Sequence, residues 1–138
     1  GHQLDEILNK KSGLLGVSGV SSDKRDVEAA AAAGNPRAQL ASDMLNYQIK
    51  KYIGSYTTVL GGLDCLVFTA GVGENDGRVR AEIAGYLGYL GVTLNDDLNQ
   101  KSRGEEVVLS TPDSRVDVYV IPTNEELMIA RDTAALIK

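Results

Sequence analysis

Residues 63–80, LDCLVFTAGVGENDGRVR, constrain the fold more than any other part of the chain. LDCLVFTA is a continuous apolar run of strand length, the pattern of a strand covered on both faces. It breaks into a turn spaced by Gly71 and Gly73, after which Val79, Ile83, Tyr86, Leu87 and Leu90 recur at helical spacing. In open α/β sheets ligands bind at the carboxyl ends of strands, where glycines let backbone N–H groups and bare Cα atoms come close. An ordinary tight turn capped by Asn75 or Asp76 explains the same residues without a ligand. The spacing is not the G-x-G-x-x-G dinucleotide fingerprint either, because Asp76 stands where the third glycine belongs. The two readings part on replacement of Gly73. A branched side chain there abolishes ligand binding at normal stability if the glycine makes room, and costs stability if it serves the backbone.

The remaining chain alternates helices and strands. QLDEILNK is a short amphipathic helix with Leu4, Ile7 and Leu8 on one side, and the glycines and serines of KKSGLLGVSGVSSDKRD read as loop. VEAAAAAG is an alanine-rich helix stopped by Gly34. Asn35 then caps a second start, with Pro36 at the first helical position, where its missing N–H costs nothing. From there Leu45, Ile49, Tyr52, Ile53, Tyr56 and Leu60 form a helical stripe that Gly61-Gly62 ends. EVVLS and VDVYVIP, separated by TPDS, read as two strands. TNEELMIARDTAALIK opens with a capping box, Thr123 as N-cap and Glu126 three residues on, ahead of Leu127, Ala130, Ala134 and Ile137.

At 138 residues, 43% of them apolar and 24% charged, the chain reads as one soluble domain able to bury a core without disulfides or metal. No apolar run approaches the roughly 20 residues that span a bilayer, and no secretory signal is visible. Cys65, the single cysteine, lies in the apolar run and reads as a small buried hydrophobe. His2, the single histidine, sits in a terminal Gly1-His2 pair that looks like an expression remnant. Histidine-based catalysis and a His/Cys zinc site are therefore excluded within this chain. A net charge of −5 argues against nucleic acid or an anionic membrane as partner. An anionic ligand would have to be held by local groups.

Three blocks, SGVSSDKRDVE, LVFTAGVGENDGRVR and VYVIPTNEELMIARDT, resemble in order and spacing the C-terminal part of the acetokinase family of short-chain carboxylate kinases. The intervening segments resemble it too, so the likeness covers nearly the whole chain. It implies an α/β ribonuclease-H-like, actin-like ATPase domain of the sugar kinase, actin and heat-shock ATPase superfamily, with a mixed sheet flanked by helices. Residues 1–138 would be the C-terminal nucleotide-binding portion of such an enzyme.

The reaction implied is reversible phosphoryl transfer between ATP and acetate, giving acetyl phosphate and ADP, with Mg²⁺ as cofactor. By the same resemblance Asp23, Lys24 and Arg25 lie beside the nucleotide, Gly71, Val72, Gly73, Glu74 and Asn75 surround the adenosine, and Glu125 is the magnesium-associated carboxylate. Arg25 carries a permanent charge and forked N–H donors suited to phosphate, and Glu125 is a hard oxygen ligand suited to Mg²⁺ through water. Each has a plain alternative: Asp23 an N-cap, Arg25 a solvated charge, Glu125 a first-turn carboxylate favoured by the helix dipole. Lys24 stands where the family commonly has a bulkier apolar residue. The resemblance also implies that the acetate pocket, the catalytic aspartate and the charge-stabilising arginine and histidine lie upstream of Gly1. No catalytic residue is then expected in this chain, and the chain alone is expected to be inactive. A cytoplasmic homodimer is implied for the whole enzyme. The competing readings are a propionate or butyrate kinase and a module serving only folding and dimerisation.

Overall fold

The computed structural model describes residues 1–137. The chain divides at Tyr56–Thr57 into two compact units. The first holds α1 (His2–Lys10), α2 (Gly13–Ser18), α3 (Lys24–Ala32) and most of α4 (Pro36–Leu60). Asn35 caps α4 as its sequence suggests, its Oδ1 accepting from the N–H groups of Arg37 and Ala38 at 3.0 and 3.2 Å. Val27 of α3 packs on Ala38 and Ala41 of α4, with Leu14, Val17, Ala30 and Ala31 around them. The loop expected over residues 13–18 is instead α2. Leu14 and Val17, three residues apart, supply its core side. Arg37 donates to its last carbonyls, Nη2 to Gly16 at 3.2 Å and Nε to Val17 at 2.9 Å. Half of the stripe expected along α4 is solvent-facing: Leu45, Ile49 and Ile53 are half-buried, whereas Tyr52 and Tyr56 stack on each other in the open. Leu4, Ile7 and Leu8 of α1 are exposed too.

The second unit is α/β, a small mixed sheet flanked by helices. Its strands are β1 (Cys65–Phe68), β2 (Val107–Val108) and β3 (Asp117–Val120), in the order β1-β3-β2, with β1 parallel and β2 antiparallel to β3. Its helices are α5 (Ala70–Asn75), α6 (Gly77–Gly85), α7 (Asp96–Lys101) and α8 (Glu125–Leu136), with a 3-10 turn at Gly88–Leu90. Val118 and Val120 of β3 point into a core with Phe68, Val79, Ile83, Leu87, Leu109 and Val116, and Asp117 points out. Two expectations fail at β1. As an edge strand it buries only Phe68, so it is not covered on both faces, and Cys65 is exposed rather than a buried hydrophobe. A third fails at α8, whose N-cap is Asn124 and not Thr123: Asn124 Oδ1 accepts from Leu127 N–H at 3.1 Å. Leu127, Met128 and Ile129 of α8 are exposed.

Candidate functional site

Parallel pairing of β1 with β3 places Phe68 opposite Val120, and the Ile121 N–H extends the ladder by donating to Phe68 O at 3.0 Å. The carboxyl ends of both strands therefore lie side by side. One feeds Gly71–Asn75 and the other feeds Thr123–Glu125, two segments far apart in sequence.

At the end of β1, Thr69 is extended and Ala70 turns the chain with φ 57°. Ala70 is the one non-glycine at positive φ among the described residues, a conformation that costs an L-residue about 1–2 kcal/mol. The next residues coil into α5 rather than an open turn, so neither Gly71 nor Gly73 serves a left-handed backbone. Their surroundings differ. A Cβ on Gly73 would lie 3.1 Å from the carbonyl carbon of Phe68, so its bareness serves the packing of α5 on the strand end. A Cβ on Gly71 would meet nothing within 4 Å, and Gly71 and Val72 are exposed.

The carbonyls of Gly71, Val72, Gly73 and Glu74 are all paired. Gly71 O accepts from Asn75 Nδ2 at 3.0 Å, Val72 O from Asp76 N–H at 3.0 Å, Gly73 O from Arg80 Nη1 at 2.8 Å and Glu74 O from Gly104 N–H at 3.3 Å. Arg80 is fully buried. It also donates Nε to Asn99 Oδ1 at 2.8 Å, and Nη2 to Asn99 O at 2.6 Å and Ser102 O at 3.0 Å. Burial, and then the charge of Arg103, push its pKa below the ordinary arginine value, and the four oxygens compensate the cation. Asn99 completes the clamp by donating Nδ2 to Gly77 O at 2.7 Å. The sequence reading missed Arg80 and Asn99. A signal was present, because Arg80 lies three and seven residues before Ile83 and Leu87, two core positions of the helical stripe.

Glu74, half-buried, crosses from α5 to the other segment: its Oε1 accepts from the Thr123 N–H at 2.8 Å and from Thr123 Oγ1 at 3.1 Å. Glu125, the first residue of α8, is exposed, with no hydrogen-bond or ion-pair partner among the described residues. No group of three His, Cys, Asp or Glu side chains is placed to hold a metal among them either.

The Asp23–Arg25 block belongs to the first unit. Asp23 caps α3 by accepting from Arg25 N–H at 2.8 Å, and its own N–H donates to Ser21 Oγ at 3.0 Å. Arg25 folds back onto it, Nε donating to Oδ1 at 3.1 Å and Nη2 to Oδ2 at 2.6 Å. The Arg25 side chain bond, and then its backbone N–H, hold the Asp23 carboxyl at about 2, and the bond to Asp23 in turn raises the Arg25 pKa. Arg25 is 89% exposed nonetheless. Lys24 lies along α3 with its ammonium bonded to Glu28 one turn on. Gly71–Asn75 and Glu125 are thus brought together in one unit, and Asp23, Lys24 and Arg25 in the other.

The sequence profile of the Acetokinase family matches residues 1–131. The chain is 60% identical over 135 residues, 98% of its length, to an acetate kinase of Dictyoglomus thermophilum, and covers 34% of that protein. Among solved structures it is similar to the acetate kinase of Porphyromonas gingivalis, with a TM-score of 0.89 and 48% identity over 100% of this chain and 35% of the other. It is also similar to a propionate kinase of Francisella tularensis, with a TM-score of 0.80 and 38% identity over 94% of this chain and 32% of the other. The chain spans about a third of the length of the curated relatives it matches.

Proposed function

Because this chain belongs to the acetokinase family, we propose that it is the nucleotide-side part of a kinase that moves the terminal phosphoryl group of ATP reversibly to acetate. The observation that carries the reading is the meeting of the Gly-x-Gly-Glu-Asn and Thr-Asn-Glu segments at the adjacent carboxyl ends of β1 and β3. Acetate is preferred over propionate as the acceptor because the acetate kinases stand nearer in sequence, at 60% and 48% identity against 38%. Adenosine lies on the open side of α5, where Gly71 leaves bare backbone. Arg25 exchanges its Asp23 carboxylate for phosphate oxygens, which its exposure permits.

Glu125 fits a magnesium role as a lone exposed carboxylate, since Mg²⁺ is commonly held by one or two carboxylates with water and phosphate oxygens in the other positions. When bound, the ion neutralises charge on the phosphoryl oxygens. The groups that bind and activate acetate are assigned to the part of the relatives this chain does not span. The exposed apolar residues of α4 and α8 support burial against a second copy in a cytoplasmic homodimer.

Acetyl phosphate formation by the full-length protein, with ATP, Mg²⁺ and acetate, propionate or butyrate, tests the proposal. Acetate should give the highest kcat/KM, and Arg25→Ala should lower kcat by about 10²-fold while changing ADP affinity far less. Absence of transfer to any of the three acids overturns the reading. A raised ATP KM at unchanged kcat removes Arg25 from transition-state stabilisation.

A further inference from the structure

Glu74 is the one side chain that ties the glycine segment to the segment carrying Glu125 among the described hydrogen bonds. Its partner Thr123 is 49 residues away, and one carboxylate oxygen takes both of that residue's donors, the N–H at 2.8 Å and Oγ1 at 3.1 Å. Glu74 is itself anchored from behind. Its carbonyl accepts from Gly104 N–H, and the carbonyl before it, Gly73 O, is held by the buried Arg80. Thr123 is followed at once by Asn124, which caps α8, and then by Glu125 at the first helical position. A rigid post therefore fixes the residue two positions before Glu125, and the cap fixes the helix on which Glu125 stands.

We infer that Glu74 is a positioning residue that sets the place of Glu125 against the glycine segment, and so links that segment to magnesium binding. The inference rests on the magnesium reading of Glu125 above, and it gives Glu74 a different job from contact with adenosine. A carboxylate accepting two donors is stronger than two neutral bonds and narrows the angular freedom of the chain it holds. A metal-associated carboxylate acting through water tolerates little displacement, because the magnesium shell demands near-ideal octahedral geometry.

The test uses the full-length enzyme and reads two quantities separately: ADP affinity without Mg²⁺, and the Mg²⁺ concentration giving half-maximal rate. Glu74→Ala should raise the magnesium requirement about tenfold, in the range typical of lost outer-shell partners, and leave magnesium-free ADP affinity within about twofold. Glu74→Gln keeps an oxygen acceptor and should restore most of the magnesium response. Thr123→Val, which loses only Oγ1, should fall between wild type and Glu74→Ala. The idea is overturned if Glu74→Ala weakens magnesium-free ADP binding as much as it raises the magnesium requirement, since that makes Glu74 an adenosine contact. A lower melting temperature with both quantities unchanged also overturns it, leaving Glu74 a purely structural group. Glu125→Gln in the same assay separates the two readings: no effect there defeats the magnesium role of Glu125 itself, while an effect at Glu125 and none at Glu74 defeats only the linkage.

Discussion

Arg80 donates to four neutral oxygens in a fully buried setting, whereas Arg25 faces a carboxylate two residues away and keeps nearly its whole side chain in water. The two guanidiniums have the same chemistry and opposite surroundings. Burial makes Arg80 part of the backbone's hydrogen-bond accounting, since removing it strands acceptors that water cannot reach. Exposure lets Arg25 change partners, because its bonds to Asp23 compete with solvent at every moment. The buried guanidinium holds a fixed frame, and the exposed one stays free to change partners.

The largest effect should come from Arg80→Ala, which leaves the oxygens of Gly73 and Asn99 without their donor and Ser102 O with Arg103 alone. A loss of about 3 kcal/mol or more is expected, read as a lowered urea midpoint, against a far smaller shift for Arg25→Ala. Equal midpoints would break the contrast. The glycines sharpen it at the next level. Gly73→Val should destabilise by about 1–3 kcal/mol because its side chain is forced onto the Phe68 backbone, whereas Gly71→Val should keep the melting temperature and weaken ADP. A normal melting temperature for Gly73→Val would return that glycine to the ligand.

The smallest effect belongs to Asp23. Its carboxyl sits at about 2 because Arg25 bonds to it, so the stability it contributes is present above the ordinary carboxylate value of about 4 and fades as pH falls through about 2. Arg25→Ala keeps the backbone N–H bond and should move the Asp23 titration, followed by its side-chain carbon chemical shift, upward toward the ordinary range. An unmoved midpoint would assign the low value to the backbone cap alone.

Much of this was legible from residue order. The strand at 65–68 and the helix from Gly77, the Asn35-Pro36 start and the two strands before α8 were readable because local propensity and tertiary packing agree there, whereas the glycine turn between the first two proved to be α5. The failures have physical causes. Cys65 lies in an apolar run but on an edge strand, and sequence does not say which strands will be edges. Thr123 satisfies the capping-box spacing, yet Glu74 captures its hydroxyl and Asn124 takes the cap, a competition invisible without knowing that β1 and β3 are neighbours. Gly71 and Gly73 look equivalent as letters, and only the backbone of Phe68 beneath one of them tells them apart.

The pairing of β1 with β3 also has a consequence in time. A chain made from its N-terminus completes Glu74 and must then wait for 49 more residues before Thr123 exists to meet it. At roughly 5–20 residues per second the delay lasts seconds, long against the microseconds in which the helices between them can coil. During that interval β1 has no β3 to pair with, and the backbone groups it later gives to that ladder stay unpaired.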